Sequence, residues 1–208
     1  MKKTVPGKFT GASFDDFKNE LLNKEAIETI IQWANDFPTD FTKKAYPSIY
    51  IFSGVNGVGK THLAAATINE LANRDKDKDW GSWGYHFETI TSIKNAVKES
   101  QKPISKTSTQ SIYDELTAKR LLVLDDVGKD FHNEYQKAFI TEMYYQIING
   151  CYEKNRSILF TSNIPFDTPY LAGGETLRDL IGEDCMDRLR GMTRGQVIEL
   201  KGESRRLI

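Results

Sequence analysis

Apolar residues recur along this chain in two rhythms, and the alternation between them predicts the architecture. Five short apolar runs read as strands: Ile49 to Phe52, Tyr85 to Glu88, Leu121 to Leu124, Ser157 to Thr161 and Gln196 to Leu200. Between them the apolar positions shift to helical spacing. Thr61 to Ala72 is rich in Ala and Leu, and Asn133 to Tyr152 places Tyr135, Phe139, Met143, Ile147 and Cys151 four residues apart. The runs LLVL and SILF, apolar but for Ser157, read as strands covered on both faces. Such strands alternating with helices predict an α/β fold, a parallel sheet with helices on both sides.

Ahead of the first strand, Ser13 is an N-cap candidate. Phe17, Leu21, Leu22, Ile27, Ile30, Ile31 and Ala34 then carry a helical pattern that predicts one helix over 13–37. Residues 1–12 read as an extended arm, and Pro38 and Pro47 punctuate a loop. Ser100 to Thr109 is a polar loop and Asp75 to Asp79 a charged surface turn. Residues 1–48 thus lead into a core over 49–208, the whole forming one compact domain.

Composition narrows the function classes. The 208 residues suffice for one α/β domain with a full core. Lys plus Arg number 28 and Asp plus Glu 29, a net charge of −1, so any nucleic-acid partner has to be met by a local patch. No apolar run approaches the roughly 18 residues of a membrane span, and the start lacks a signal peptide's apolar stretch. Cys151 and Cys185 form no CxxC and have no paired histidines beside them, which leaves a zinc site without support. A disulfide between them stays open; two reduced thiols in a cytoplasmic protein is the preferred reading.

Gly54-Val55-Asn56-Gly57-Val58-Gly59-Lys60-Thr61 fits GxxxxGK[ST], between a strand and a helix. The chemistry needs that context. Glycines let the backbone N–H groups of Val55 to Lys60 close round a β-phosphate at a helix N-terminus. Lys60 supplies a point charge to the β- and γ-oxygens of ATP, and the Thr61 hydroxyl a ligand to Mg²⁺. Leu121 to Leu124 ends in Asp125-Asp126, carboxylates at the tip of a strand, where α/β sheets bind ligands. Asp125 is the natural Mg²⁺ partner through water, and Asp126 is set to orient or activate the attacking water. Asn163 follows another buried strand and can reach the γ-phosphate or that water; alternatively it makes an Asx-turn before Pro165.

Taken in order, SFDDF, GVNGVGKTHLA, LLVLDDVG, YYQIINGCYEKNRSILFTSN, GEDCMDRL and IELKGESRR resemble the ATPase domain of bacterial replicative helicase loaders of the DnaC/DnaI type, and the related IstB transposition ATPases. The resemblance runs through nearly the whole chain. It implies a P-loop NTPase of AAA+ type, with a parallel five-stranded sheet in the order 5-1-4-3-2 and ATP between neighbouring subunits. It makes Asn163 the sensor-1 residue, Arg188 an arginine finger offered to the next subunit, and Arg206 a late phosphate sensor. The partners it implies are a replicative DNA helicase, single-stranded DNA and further copies of the chain. An IstB-like transposition role, or a nucleotide switch with negligible turnover, are the alternatives.

Three departures qualify this. Asp126 stands where many AAA+ proteins carry glutamate, which points to slow hydrolysis. Gly150-Cys151-Tyr152 replaces a common arginine-tyrosine pair. About 50 residues precede the P-loop, too few for the separate domain with which loaders grip helicase, so helicase binding does not carry over from sequence alone. Lys94, Lys98, Lys102 and Lys106 recur every four residues, in the region that meets single-stranded DNA in initiator-like relatives. Pro103 and Glu99 interrupt that run. Trp80, Trp83 and Tyr85 read as packing at a sheet edge. His62 ends the candidate nucleotide-binding segment that begins at Gly54, and its ring reads as helix packing rather than as a catalytic base.

Overall fold

A computed structural model of the chain describes residues 5–17, 21–40, 45–78, 84–129, 134–170 and 174–205, with side chains from 136 onward in the fifth stretch. Five strands form one parallel sheet: β1 (Ile49–Phe52), β2 (Tyr85–Thr89), β3 (Leu121–Val127), β4 (Ser157–Ser162) and β5 (Val197–Glu199). Their spatial order is β2-β3-β4-β1-β5, the 5-1-4-3-2 arrangement read from the other edge. In register, Tyr50 of β1 lies between Phe160 of β4 and Val197 of β5.

Strand periodicity divides the core in two. Ile49, Ile51, Leu121, Val123 and Leu159 face one side, while Tyr50, Leu122, Leu124, Ile158 and Phe160 face the other. The first side is covered by α1 (Lys24–Asp36), α2 (Lys60–Arg74) and parts of residues 5–17. On the second lie α3 (Ile90–Ser100), α4 (Thr109–Thr117), α5 (Glu134–Glu153), α6 (Leu177–Ile181) and α7 (Glu183–Thr193). Each fully buried Leu, Ile or Phe contributes about 1.5–3 kcal/mol, so the apolar residues of LLVL in β3 and of SILF in β4 anchor both layers at once. Cys151 and Cys185 are buried free thiols in the second layer, and burial pushes both up to about 12.

Two sequence expectations are corrected. The single helix over 13–37 is not formed. Phe14–Phe17 is instead a 3₁₀ turn, and α1 begins at Lys24. Ser13 caps the turn in both directions: its N–H donates to Asp16 and its hydroxyl accepts from Asp15 N–H. Phe17 is thereby buried against Gly59, while Leu21 and Leu22, expected on the apolar face, are 85% and 62% exposed. Asn23, at the N-cap of α1, makes no side-chain capping bond and pairs through its amide with both backbone groups of Lys201.

The expected surface turn from Asp75 is only partly at the surface. Asp75 itself is buried, held by Arg74 at 3.2 Å, by Arg120 at 3.5 Å and by the Tyr85 hydroxyl. Arg120 is buried too; its guanidinium also donates to Pro38 and Asp40 carbonyls and lies 5.7 Å from the Phe37 ring. Burial alone would raise the Asp75 pKa, but bonds from Arg74 and Tyr85 outweigh it and hold the carboxyl below its usual range. Tyr85 sits on edge strand β2, as expected of packing at a sheet edge. Trp80 and Trp83 lie outside the described residues.

Candidate nucleotide site

β1 ends at Phe52 and the chain turns at once into α2, whose first residue is Lys60. Gly59 caps α2 with φ +112°, in the left-handed region that glycine enters without strain. Beside this turn opens a cleft of about 270 Å³. Asn56, Gly57 and Gly59 to His62 line it from the loop, Asp126 and Asn163 from the strand tips, and Phe9, Asp16, Phe17 and Arg205 from the two distant segments. The Lys60 ammonium donates to the Ser53 and Val55 carbonyls at 3.3 and 2.9 Å, which holds it across the loop.

The carboxylate pair owes its geometry to a β-bulge. Leu124 pairs with Phe160 and Val127 with Ser162, so three steps along β3 match two along β4. The extra residue lies within Asp125-Asp126, and Asp126 takes φ +61°, a conformation uncommon for a residue with a Cβ. Thr161 of β4 fastens the bulge: its hydroxyl donates to Asp125 Oδ1 at 2.5 Å and accepts Asp126 N–H at 3.1 Å. Thr61 also donates to Asp125 Oδ1, at 2.9 Å. Asp126 is half-exposed and paired with Lys129 at 3.1 Å.

Asp125 is 3% exposed and accepts hydrogen bonds from two neutral hydroxyls, those of Thr61 and Thr161. Burial raises its pKa; the Thr161 bond pulls it back in part, and the Asp126 charge adds to the rise. A carboxylate in that state favours a cation. The donor set, one carboxylate and the adjoining Thr61 hydroxyl, fits Mg²⁺, which keeps water and phosphate oxygens for its other positions. Among the described residues no cluster of three or more His, Cys, Asp or Glu offers a complete protein shell.

Asn163 Nδ2 donates to Asn56 Oδ1 at 2.9 Å, joining the tip of β4 to the loop. The turn after β4 is held instead by Ser162, whose hydroxyl accepts Ile164 N–H, so the Asx-turn alternative for Asn163 is replaced by this bond. His62 packs edge-on against Phe9 and Phe17 and bonds Asp16 at 2.6 Å, in line with a packing role. Gly54 and Val55 form the entrance of the loop, with Val58 buried beneath it.

Not every candidate comes to the cleft. Arg188 sits on α7, its guanidinium 5.4 Å from the Tyr145 ring and bonded to the Asp184 carbonyl. Arg206 lies outside the described residues; the neighbouring Arg205 lines the cleft, with its guanidinium 5.0 Å above Phe17 and its N–H on the Gly57 carbonyl. Lys94 and Lys98 belong to α3, Lys102 and Lys106 to the exposed connection after it. Lys102 pairs with Glu99 at 2.5 Å, and Lys98 lies 5.8 Å from the Phe139 ring. Ile104, between them, is 92% exposed.

Sequence reasoning passed over Thr161, Phe17, Arg205 and Tyr170. Thr161 had a weak signal, a hydroxyl ending an otherwise apolar strand. Tyr170, whose hydroxyl accepts Gly54 N–H at 2.9 Å, had none.

Known proteins bear on this geometry. The family profile described as IstB-like ATP binding protein matches residues 37–208. Replicative helicase loader DnaC of Escherichia coli (strain K12) is 28% identical over 179 residues, 86% of this chain and 62% of that protein. The chain thus spans about 62% of the length of this curated relative. In fold it is similar to the crystal structure of the DnaC helicase loader, with a TM-score of 0.69, 19% identity and coverage of 94% of this chain and 99% of that one. It is also similar to the replication initiator DnaA bound to AMPPCP and single-stranded DNA, with a TM-score of 0.65, 19% identity and coverage of 96% and 52%. No described helix is long and apolar enough to cross a membrane. With its P-loop cleft, its AAA+ strand order and a profile match over most of its length, the chain belongs to the family of IstB-like ATP-binding proteins.

Proposed function

We propose that this chain is the ATPase core of a replicative helicase loader. It binds ATP with Mg²⁺, hydrolyses it slowly in an assembled state, and couples that cycle to a replicative helicase on single-stranded DNA. One observation carries the reading: Lys60, Thr61, Asp126 and Asn163 line a single cleft, and the hydroxyl of Thr61 is bonded to the buried Asp125. Lys60 and Mg²⁺ would balance the β- and γ-phosphate charge, Thr61 and Asp125 would hold the ion, and Asp126 and Asn163 would align water for in-line attack. The short reach of Asp126, its ion pair with Lys129 and its left-handed backbone favour slow turnover.

Arg188 would complete a neighbour's site, since it is remote from the lining of its own cleft. Lys94, Lys98, Lys102 and Lys106 are proposed as the single-stranded DNA contact, because Lys102 and Lys106 flank an exposed connection. A transposition role remains the second reading, favoured by the matching family itself.

The test is steady-state phosphate release with and without single-stranded DNA, together with capture of purified replicative helicase or transposase. Lys60→Ala is expected to lose ATP binding. Asp126→Asn is expected to keep ATP and lose turnover at least tenfold. Arg188→Ala is expected to lose about 10³-fold when assembled and to regain part of its rate on mixing with Lys60→Ala. Unchanged ATP affinity in Lys60→Ala sinks the nucleotide assignment, and capture of transposase alone moves the protein to the second reading.

A further inference from the structure

The entrance of the P-loop is held by a segment that the nucleotide would not touch. Ser53 N–H donates to the Ser162 carbonyl and Val55 N–H to the Ser53 hydroxyl. Between them, Gly54 N–H donates to the Tyr170 hydroxyl at 2.9 Å. Burial and the nearby Glu199 charge of β5 raise the pKa of that hydroxyl, and the Gly54 bond lowers it in part. The Tyr170 ring lies close enough to Gly54 that a Cβ there would come to 3.1 Å from it, and its centroid is 6.1 Å from that of Phe52. Neither Gly54 nor Tyr170 is among the residues lining the cleft.

Tyr170 is the far end of a tied segment. Tyr50 donates its hydroxyl to the Ile164 carbonyl at 2.8 Å, and Leu177 N–H donates to the Pro165 carbonyl at 2.9 Å. Asp167 is gripped by Arg178 of α6 and, at 2.9 Å, by Arg190 of α7. Glu183 joins both arginines, at 3.1 and 2.8 Å, closing a four-membered charge network. Arg190 is two residues from Arg188 on the same helix. The segment from Ile164 to Tyr170 therefore runs from the loop that would hold the triphosphate to the helix that would reach the next subunit.

We infer that Tyr170 is a positioning residue for the P-loop, and that residues 164–170 act as a strap linking the loop's shape to α7. The inference rests on the proposed binding of ATP in the cleft. Loss of the hydroxyl leaves Gly54 N–H without its partner and lets the loop entrance wander before phosphate binds. One neutral hydrogen bond corresponds to a change of about three- to tenfold.

Calorimetric titration with Mg²⁺ and ATP tests this on the full chain. Tyr170→Phe keeps the ring and is expected to raise the Kd about three- to tenfold, with the melting temperature within about 2 °C of the parent. Amide exchange at residues 53–56 is expected to speed up in the nucleotide-free variant, a readout that a purely structural role elsewhere leaves unmoved. Asp167→Asn, which touches no nucleotide, is expected to raise the Kd about two- to fivefold, and the double variant to lie within about twofold of Tyr170→Phe alone. An unchanged Kd and exchange rate in Tyr170→Phe overturn the positioning role, and effects that multiply in the double variant overturn the strap. Failure of the underlying reading appears elsewhere: the unmutated protein, like Lys60→Ala, then binds no ATP, and the inference falls with it.

Discussion

Asp75 and Asp125 are both buried aspartates near the ends of elements packed on one sheet, yet the protein treats their charges in opposite ways. Asp75 meets Arg74, Arg120 and the Tyr85 hydroxyl, and its carboxyl is held below the ordinary range. Asp125 meets the hydroxyls of Thr61 and Thr161 with Asp126 alongside, and burial holds its carboxyl above that range. The first is a closed structural ion cluster. The second keeps a charge that the surrounding side chains do not neutralise, the condition a cation site requires. Burial of a carboxylate is therefore no guide to its role; the chemistry of its partners is.

Removing the compensated charge should have the largest effect on stability. Asp75→Ala leaves Arg120 buried beside it, and is expected to lower the unfolding free energy by about 3–5 kcal/mol in urea titrations. ATP affinity should stay within twofold. A loss below about 1 kcal/mol would reduce the cluster to the standing of a surface pair.

Asp125→Asn should go the other way. It removes a charge that burial penalises, and is expected to leave stability unchanged or raise it by about 1 kcal/mol at neutral pH, while Mg²⁺-dependent turnover collapses. The sign of the pH dependence separates the two groups. A carboxyl whose folded pKa is lowered, as for Asp75, contributes stability above the ordinary value near 4, and loses it as pH falls through the lowered value. A carboxyl whose folded pKa is raised, as for Asp125, opposes folding at neutral pH, and that cost fades as pH falls from the raised value towards about 4. The advantage of Asp125→Asn over the parent should thus shrink on acidification. Urea titrations between neutral pH and about pH 4 read it directly, and an advantage that grows instead would reverse the assignment.

The smallest effect belongs to the exposed pair. Lys129→Ala removes the partner of Asp126, and is expected to change stability by less than about 1 kcal/mol, with little salt dependence left to lose. A larger loss would mean that Asp126 is compensated much as Asp75 is, and the contrast between the two regions would narrow.

Much of this was legible before any coordinates. LLVL and SILF reported strands covered on both faces because burial on two sides favours apolar residues; Ser157, the polar exception, is buried with its hydroxyl on the Tyr46 carbonyl. GVNGVGKT reported its turn because the left-handed backbone at Gly59 tolerates little else. What stayed hidden depends on tertiary choice. The apolar spacing through Phe17 and Leu21 was helical, but Ser13 and Asp16 formed local bonds that favour a 3₁₀ turn, and Phe17 gained more burial against Gly59. Asp75 looked like surface because Arg120, 45 positions later, gave no sign that it would fold back onto it. Tyr170 stands in a proline-broken stretch, NIPFDTPY, without helical or strand periodicity, so its contact with Gly54 left no trace in the pattern.

The cleft is walled by residues made far apart in time. Phe9, Asp16 and Phe17 emerge early in synthesis, whereas Arg205, and the Lys201 backbone that Asn23 clasps, emerge late. At the roughly 5–20 residues per second of translation, that interval is about 10–40 s. The strand that feeds the P-loop, β1, pairs with β4 and β5, so it too waits for segments made late in that interval. A nascent chain therefore completes its phosphate cradle and its nucleotide pocket together, and full affinity for ATP should appear only after residue 205 has left the ribosome.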